Sequence, residues 1–376
     1  MKMSVMEATK ARTKPPFRAD HVGSLLRTAA LKDARAKHAK GEISAADLKA
    51  VEDQEITRII RKQEEVGLRL VTDGEFRRSW WQFDFMKELD GLELYDTGKG
   101  IQFHGVTTRA EDIRVSGKIG YSGHPMLDHY RFVAQTTRVT PKMTIPSPTV
   151  VHFRVGQKPV TEGHYKTMDA FFADLGAAYS KTVQAFAAAG CRYLQLDDTS
   201  FAHLCDKDRR QMLKDRGEDP DQLMHTYAKL INAAIAGVPS DMVIGMHICR
   251  GNFRSTFISS GGYEPVADVL FNSTNVNAYF LEYDTDRAGG FEPLRFVPKG
   301  KHVVLGLITS KFGTLEAKDD IKRRIDEATK HVGLDQLCLS PQCGFASTEE
   351  GTVLAEDEQW AKLAHIVQIA DEVWGR

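Results

Sequence analysis

Short aliphatic runs alternate with longer amphipathic stretches along most of this 376-residue chain, and that rhythm restricts the fold more than any other feature. The strand-like runs are Arg18–Val22, Leu68–Thr72, Lys142–Ile145, Tyr193–Asp197, Met242–Met246, Ala278–Glu282, Val303–Ile308 and Gln336–Leu339. Between them lie segments with apolar residues at helical spacing: Ala30–Glu65, Met168–Ala189, Gln222–Ala236, Leu315–His331 and Glu356–Val373. Gly67 and Gly190 mark the passage from helix to strand. Eight strands alternating with helices predict an α/β fold, a closed parallel (β/α)8 TIM barrel. An open doubly wound sheet would carry a glycine-rich phosphate loop after its first strand, and Val22-Gly23-Ser24-Leu25-Leu26 is not one.

One stretch breaks the rhythm. Between the second and third strands, period-two alternation with glycine turns (Ile101-Gln102-Phe103-His104, then Ile113-Arg114-Val115-Ser116) predicts an inserted β-hairpin region spanning about 88–140. An insertion in a βα loop belongs on the catalytic face of a barrel, where it would cover part of the site. Residues 1–16, ending in Lys14-Pro15-Pro16, read as a flexible arm ahead of one catalytic barrel over 17–376.

A net charge of −1 gives no bulk electrostatic reason to bind nucleic acid or an anionic membrane. No apolar run is long enough to span a bilayer, and no secretory signal is apparent, so the reading is cytoplasmic. Five cysteines, an odd number, fit reduced thiols. Cys191, Cys205 and Cys338 lie in or beside apolar segments and read as small buried hydrophobes. Cys249 and Cys343 stand instead at strand ends beside glycine or polar residues.

Those two cysteines belong to a wider constellation. His247 and Cys249 end the fifth strand, Glu282 ends the sixth, and Cys343 follows the eighth in Pro341-Gln342-Cys343-Gly344. Residues two apart on a strand point the same way, so His247 and Cys249 can face one centre. All strands of a parallel barrel end on one face, which lets the four groups converge. Together they offer Zn2+ two sulfurs, a nitrogen and an oxygen. The bland alternatives are a salt bridge from Glu282 to Arg250 or Arg287, and a tight turn at Cys343. Two thiolates and a carboxylate would make a zinc site that is a poor activator of water but suits holding a substrate thiol as its thiolate. The carboxylate, the hardest donor, is the one expected to yield to that thiol.

Carboxylates also end the second and fourth strands. Glu75 and Asp197 could clamp a substrate ammonium, or pair with Arg77, Arg78 or Arg192. Asp198 is a further candidate catalytic acid. His21, at the end of the first strand, could contact substrate or sit in the core. Trp80 and Trp81 could stack a flat donor or pack the insertion onto the barrel.

At these residues the chain resembles the catalytic barrel of cobalamin-independent methionine synthase, and most closely the short single-barrel members of that superfamily. His247-x-Cys249, Glu282 and Cys343 match the family's four zinc ligands in order and context. Gly23-Ser24 matches its substrate-contacting first-strand segment. Asp73-Gly74-Glu75-Phe76 and Gln195-Leu196-Asp197-Asp198 match the segments whose acids hold the homocysteine amino group. The resemblance implies a zinc-dependent methyltransferase that makes methionine from homocysteine, with methyltetrahydrofolate or a corrinoid protein as donor and a homo-oligomer as an open option. Two departures bear on the donor. The second barrel-like half of the long enzymes, which helps hold their folate, is missing. Lys311 stands nearest the position of the family's proton-shuttling histidine. Competing readings are an epoxyalkane:coenzyme M transferase, whose sulfonated thiol would need basic residues such as Arg18, Arg250, Arg254 or Lys311, and a non-catalytic zinc-binding barrel. A metal-free decarboxylase follows from fold analogy alone.

Overall fold

A computed structural model describes residues 12–100 and 107–375. The strands are β1 (Leu70–Val71), β2 (Asp90–Asp96), β3 (Glu111–Gly120), β4 (Thr140–Pro141), β5 (Met143–Pro146), β6 (Tyr193–Asp198), β7 (Val243–Ile248), β8 (Ala278–Glu282), β9 (His302–Ile308) and β10 (Leu337–Pro341). A parallel ladder runs β10-β9-β8-β7-β6-β5, and β4 pairs in parallel with β1. Lys142 joins β4 to β5 and donates its N–H to the Val71 carbonyl at 2.8 Å, so one segment turns the corner from β1 to β6. The predicted first strand is a single bridge, Ala19 to Leu339, flanked by bonds from Asp20 N–H to Leu339 O and from Leu339 N–H to Arg18 O. The Asp20 carboxylate accepts the Phe17 and His21 N–H groups, bending the chain out of a longer ladder. Between the first segment and β1 the seam is closed by the Thr72 hydroxyl on the Gly23 carbonyl, 2.6 Å, and by Leu25 N–H on Gly74 O.

Two separate cores lie on the two faces of this ring of strands. Phe17, Val22, Leu70, Tyr193, Phe280, Val304 and Cys338 pack together inside the barrel. Their strand neighbours Val71, Leu194, Leu196, Ile244, Met246, Leu281, Val303 and Leu339 point outward into the layer between barrel and helices. This alternation follows from the period of two. It fixes which side chains of each strand reach the lumen, and therefore which can build a site at its C-terminal end.

The helices begin where capping chemistry allows. The region predicted as helical over Ala30–Glu65 is two helices, Ala29–Ala39 and Ala45–Glu65. Gly41 separates them at φ 73°, and Ser44 and Asp47 form a capping box on the second. The predicted helices Met168–Ala189, Gln222–Ala236, Leu315–His331 and Glu356–Val373 are found as Met168–Ala188, Pro220–Ala234, Lys318–Ala328 and Glu356–Trp374.

The hairpin is present as antiparallel β2 and β3. The alternating stretch Ile101-Gln102-Phe103-His104 lies outside the described residues, as do residues 1–11 of the arm; Arg12 bonds the Pro16 carbonyl at 2.7 Å. The described part of the hairpin packs on the helices Pro148–Val155 and Met168–Ala188, with Ile119 N–H on the Tyr165 hydroxyl at 2.8 Å. Its described residues line neither cavity at the barrel mouth. The mouth is bordered instead by Trp80 and Trp81, which lie ahead of the hairpin and are tied to the loop after β10 through Thr348 and Ser347.

Candidate metal and substrate site

His247, Cys249, Glu282 and Cys343 meet at the C-terminal end of the barrel, all buried, with their donor atoms within 4.8 Å of one another. The Cys249 and Cys343 sulfurs are 3.6 Å apart, and His247 Nε2 is 4.0 Å from Glu282 Oε1. The Phe280 carbonyl lies 3.3 Å from His247 Nδ1, which leaves Nε2 as the free donor, buried and without a hydrogen-bond partner. Two sulfurs, a nitrogen and an oxygen at this spacing fit a tetrahedral Zn2+.

The electrostatics follow from burial and proximity. A hydrogen bond from Cys249, opposed by burial and aided by His247, holds the Cys343 thiol well below its ordinary value. The same hydrogen bond and burial push Cys249 up. Burial acts against a charged His247, but the Cys343 thiolate, with Asp197 and Glu282, outweighs it and holds the imidazole at about 9. A site that gathers this much negative charge is one a divalent cation would neutralise.

Beside the four donors is a small cavity of about 290 Å³, lined by Val22, Ser24, Glu75, Trp81, Asp197 and Ser347 together with His247, Cys249, Cys343 and Gly344. Glu75 reaches it from a strained position: φ is 60°, in the turn Asp73-Gly74-Glu75. Thr144 donates its hydroxyl to Glu75 Oε1 at 3.0 Å, with Arg78 at 3.4 Å from the same oxygen, and Oε2 is buried without a partner. Burial, only partly offset by Arg78 and Arg27, raises the Glu75 carboxyl. Asp197 stands opposite His247 in the β6–β7 register and accepts a 2.6 Å bond from Gln195 Nε2. Burial pushes its carboxyl up to about 7 despite the charge of His247.

Ser24 donates nothing across the small cavity but holds its wall, accepting Phe345 N–H on its carbonyl at 2.9 Å. Gly23 sits behind it at φ 137°, where a Cβ would stand 2.6 Å from Thr144 Cγ2, so a side chain there would displace the residue that orients Glu75. His21 is buried, accepts the Lys142 ammonium on its carbonyl at 2.6 Å and does not line the cavity. Asp198 points the opposite way from Asp197: its oxygens take the Thr149 hydroxyl and the Phe201 N–H, capping the helix Ser200–Cys205. Lys311 likewise lines neither cavity and lies 3.2 Å from Asp284.

A larger cleft of about 950 Å³ opens from Cys249 and Trp81 toward solvent. One wall is Trp80 stacked with Phe253, ring centroids 6.1 Å apart, and another is Phe153 stacked on His203 at 4.3 Å. Arg154, Arg209 and Arg216 also line it. Arg209 and Arg216 lie two turns apart on one helix, Lys207–Asp215 and its C-terminal cap, and tertiary packing brings Arg154 to them from the helix Pro148–Val155. Thr144, which orients Glu75, is silent in the sequence as an isolated polar residue in a strand, whereas Gln195, which bonds Asp197, stands in the matched segment Gln195-Leu196-Asp197-Asp198.

A family model described as the catalytic domain of cobalamin-independent synthase matches residues 17–372. The chain is 53% identical to the Bacillus subtilis (strain 168) protein YxjH, described as uncharacterized, over 98% of this chain and 97% of that one. It is 24% identical to the Pyrococcus abyssi methionine synthase, covering 89% of this chain and 88% of that one. Among solved structures, one from Listeria monocytogenes, described provisionally as a vitamin-B12 independent methionine synthase, superposes with a TM-score of 0.78 at 42% identity, covering 97% of this chain and all of that one. This chain is therefore a methyltransferase belonging to the cobalamin-independent synthase catalytic-domain family.

Proposed function

We propose that the enzyme methylates homocysteine to methionine, using a zinc ion held by His247, Cys249, Glu282 and Cys343. The observation that carries this reading is that Glu75 and Asp197 line the same small cavity as three of the four metal donors. Zinc in this site supplies the positive charge that keeps a substrate thiol deprotonated and nucleophilic at neutral pH.

The chain's own residues do the rest. Glu75 Oε2, buried and unpartnered, accepts a hydrogen bond from the substrate ammonium, and Asp197 receives the same group from β6. An ammonium there favours the charged form of both carboxylates, which burial alone disfavours. Trp81 lines both this cavity and the larger cleft, at the junction between them. The pair of acids disfavours coenzyme M, whose sulfonate would meet two carboxylates.

The larger cleft supports a flat, anionic small-molecule donor of the methyltetrahydrofolate type. Stacked aromatic walls suit a planar ring, and Arg154, Arg209 and Arg216 suit carboxylates at its far end. The methyl group passes from the donor nitrogen to the substrate sulfur; the nitrogen keeps the C–N electron pair and takes up a proton from water in the open cleft.

Zinc analysis combined with isothermal titration tests the reading. The expected result is one zinc per chain and homocysteine binding with proton release, both lost in Cys343→Ser, with coenzyme M binding far more weakly. Zinc-loaded protein that binds no homocysteine would overturn it.

A further inference from the structure

Behind Glu282 lies a buried charge network that the zinc-binding and substrate roles leave unexplained. Arg287 Nη2 is 2.7 Å from Glu282 Oε2 and 2.9 Å from Asp284 Oδ1, so two carboxylates share one guanidinium nitrogen. Asp284 is held from its other side by Lys311 at 3.2 Å and by the Thr309 hydroxyl at 3.2 Å. The other oxygen of Glu282 accepts the Arg250 N–H at 2.8 Å. The side chains of Arg287, Glu282, Asp284 and Lys311 are all at least nine-tenths buried, and the Arg287 guanidinium stacks 4.6 Å from the Phe257 ring. Burying two cations and two anions is costly, and hydrophobic residues of similar volume usually do as well for stability. Such a network beside a metal donor calls for another reason.

We propose that Arg287 is a positioning residue that sets how readily Glu282 releases the metal to an incoming thiol, and that Asp284 and Lys311 set the strength of that hold. This rests on the zinc-thiol reading given above. Glu282 is the only oxygen donor of the four. Arg287 offers its carboxylate a charge-assisted bond that persists whether or not the other oxygen is on the metal. The competition is therefore between Arg287 and the metal for one negative charge. Asp284 draws part of the guanidinium away from Glu282, and Lys311 satisfies Asp284 and limits that draw.

The arrangement predicts opposite effects from two neighbouring substitutions. In Arg287→Met the Glu282 charge is left to the metal alone, so zinc should be held about tenfold more tightly and homocysteine should displace the carboxylate about tenfold less readily. In Asp284→Asn the guanidinium belongs wholly to Glu282, so zinc should be held more weakly and the thiol exchange should be easier. Arg287→Lys, which keeps the charge but not the fork, should fall between Arg287→Met and the wild type.

The experiment measures zinc affinity by chelator competition, and the thiol exchange by titrating homocysteine into cobalt-substituted protein while following the cobalt absorption bands. Shifts of opposite sign in Arg287→Met and Asp284→Asn support the proposal. Shifts of the same sign, or none in either variant, overturn it, because a purely structural network would weaken the site in both. Asp284→Asn retains Arg287 and its packing on Phe257, so it tests the idea even if Arg287→Met does not fold. A wild type whose cobalt bands ignore homocysteine would refute the thiol reading, while opposite zinc affinities would still establish the hold of Arg287 on Glu282.

Discussion

The Lys142 ammonium lies 3.0 Å from the Asp20 carboxylate inside the barrel, and neither side chain has any exposed surface. Asp20 also accepts the Tyr193 hydroxyl at 2.8 Å, and the ammonium sits 4.1 Å from the Phe280 ring centroid. The pair joins the first segment to the third beneath the site. Burial lowers the Lys142 pKa, and Asp20 pulls it back up. Lys142→Met leaves a buried carboxylate short of its counter-charge and should cost about 3–5 kcal/mol in urea unfolding. Replacing both partners with apolar residues should recover much of that loss; a double variant no more stable than Lys142→Met would refute the account.

Gly344 follows Cys343, one of the four proposed metal donors, and a Cβ on it would stand 1.9 Å from Ser24 Oγ. Gly344→Ala should therefore push the loop after β10 away from the first segment and displace Cys343. The expected result is a clear loss of bound zinc at a modest cost in melting temperature. Full zinc occupancy in the variant would show that the loop tolerates the shift.

Glu75→Gln and Asp197→Asn each remove a charge-assisted bond to the substrate ammonium and leave the metal donors in place. Each should weaken homocysteine binding roughly 10- to 100-fold with zinc content unchanged. A thiol lacking the amino group should bind wild type and variants alike. If the variants discriminate against that simpler thiol too, the acids act on something other than the ammonium.

Acid should destabilise the protein through its buried histidines. Burial, reinforced by Arg216, holds His152 at about 3, and burial with Arg209 and Arg154 does the same for His203. Both values lie below the 6.5 of an unfolded chain, so between about pH 3 and 6.5 the unfolded state binds more protons. Stability is present above that window and drains away as pH falls through it, at up to about 1.4 kcal/mol per pH unit for each histidine. Unfolding midpoints measured from pH 7 to pH 4 should show a shallower slope in His152→Gln. An unchanged slope would exclude His152 as a source of the acid sensitivity.

The barrel was legible in the sequence because parallel strands covered on both faces leave continuous apolar runs, and eight of them stand out. The convergence of His247, Cys249, Glu282 and Cys343 was legible because each lies at or just past the end of such a run. The first strand was the least faithful, since the Asp20 side chain takes over backbone N–H groups that a ladder would otherwise use. Strand parity separates Asp197 from Asp198: adjacent acids on one strand face opposite sides, so the first reaches the lumen and the second caps a helix. The Arg287 partnership of Glu282 is present, and it leaves the proposed metal role open to the other carboxylate oxygen, since a carboxylate has two. What no sequence pattern could reveal is the company of lone arginines. Tertiary packing alone brings Arg154 beside the helix that carries Arg209 and Arg216, and Lys311 beside Asp284.

Cys249 and Cys343 stand 94 residues apart, and the loop carrying the second is bonded to Ser24, which lies 322 residues before Ala346. Synthesis must pass residue 343 before the last of the four proposed donors exists, and that donor is placed only once the segment around Ser24 has met the loop after β10. Partly made chains present one histidine, one thiol and one acid with nothing to complete them. Metal held as proposed by all four residues therefore requires that the segment around Ser24 has already packed against the loop after β10.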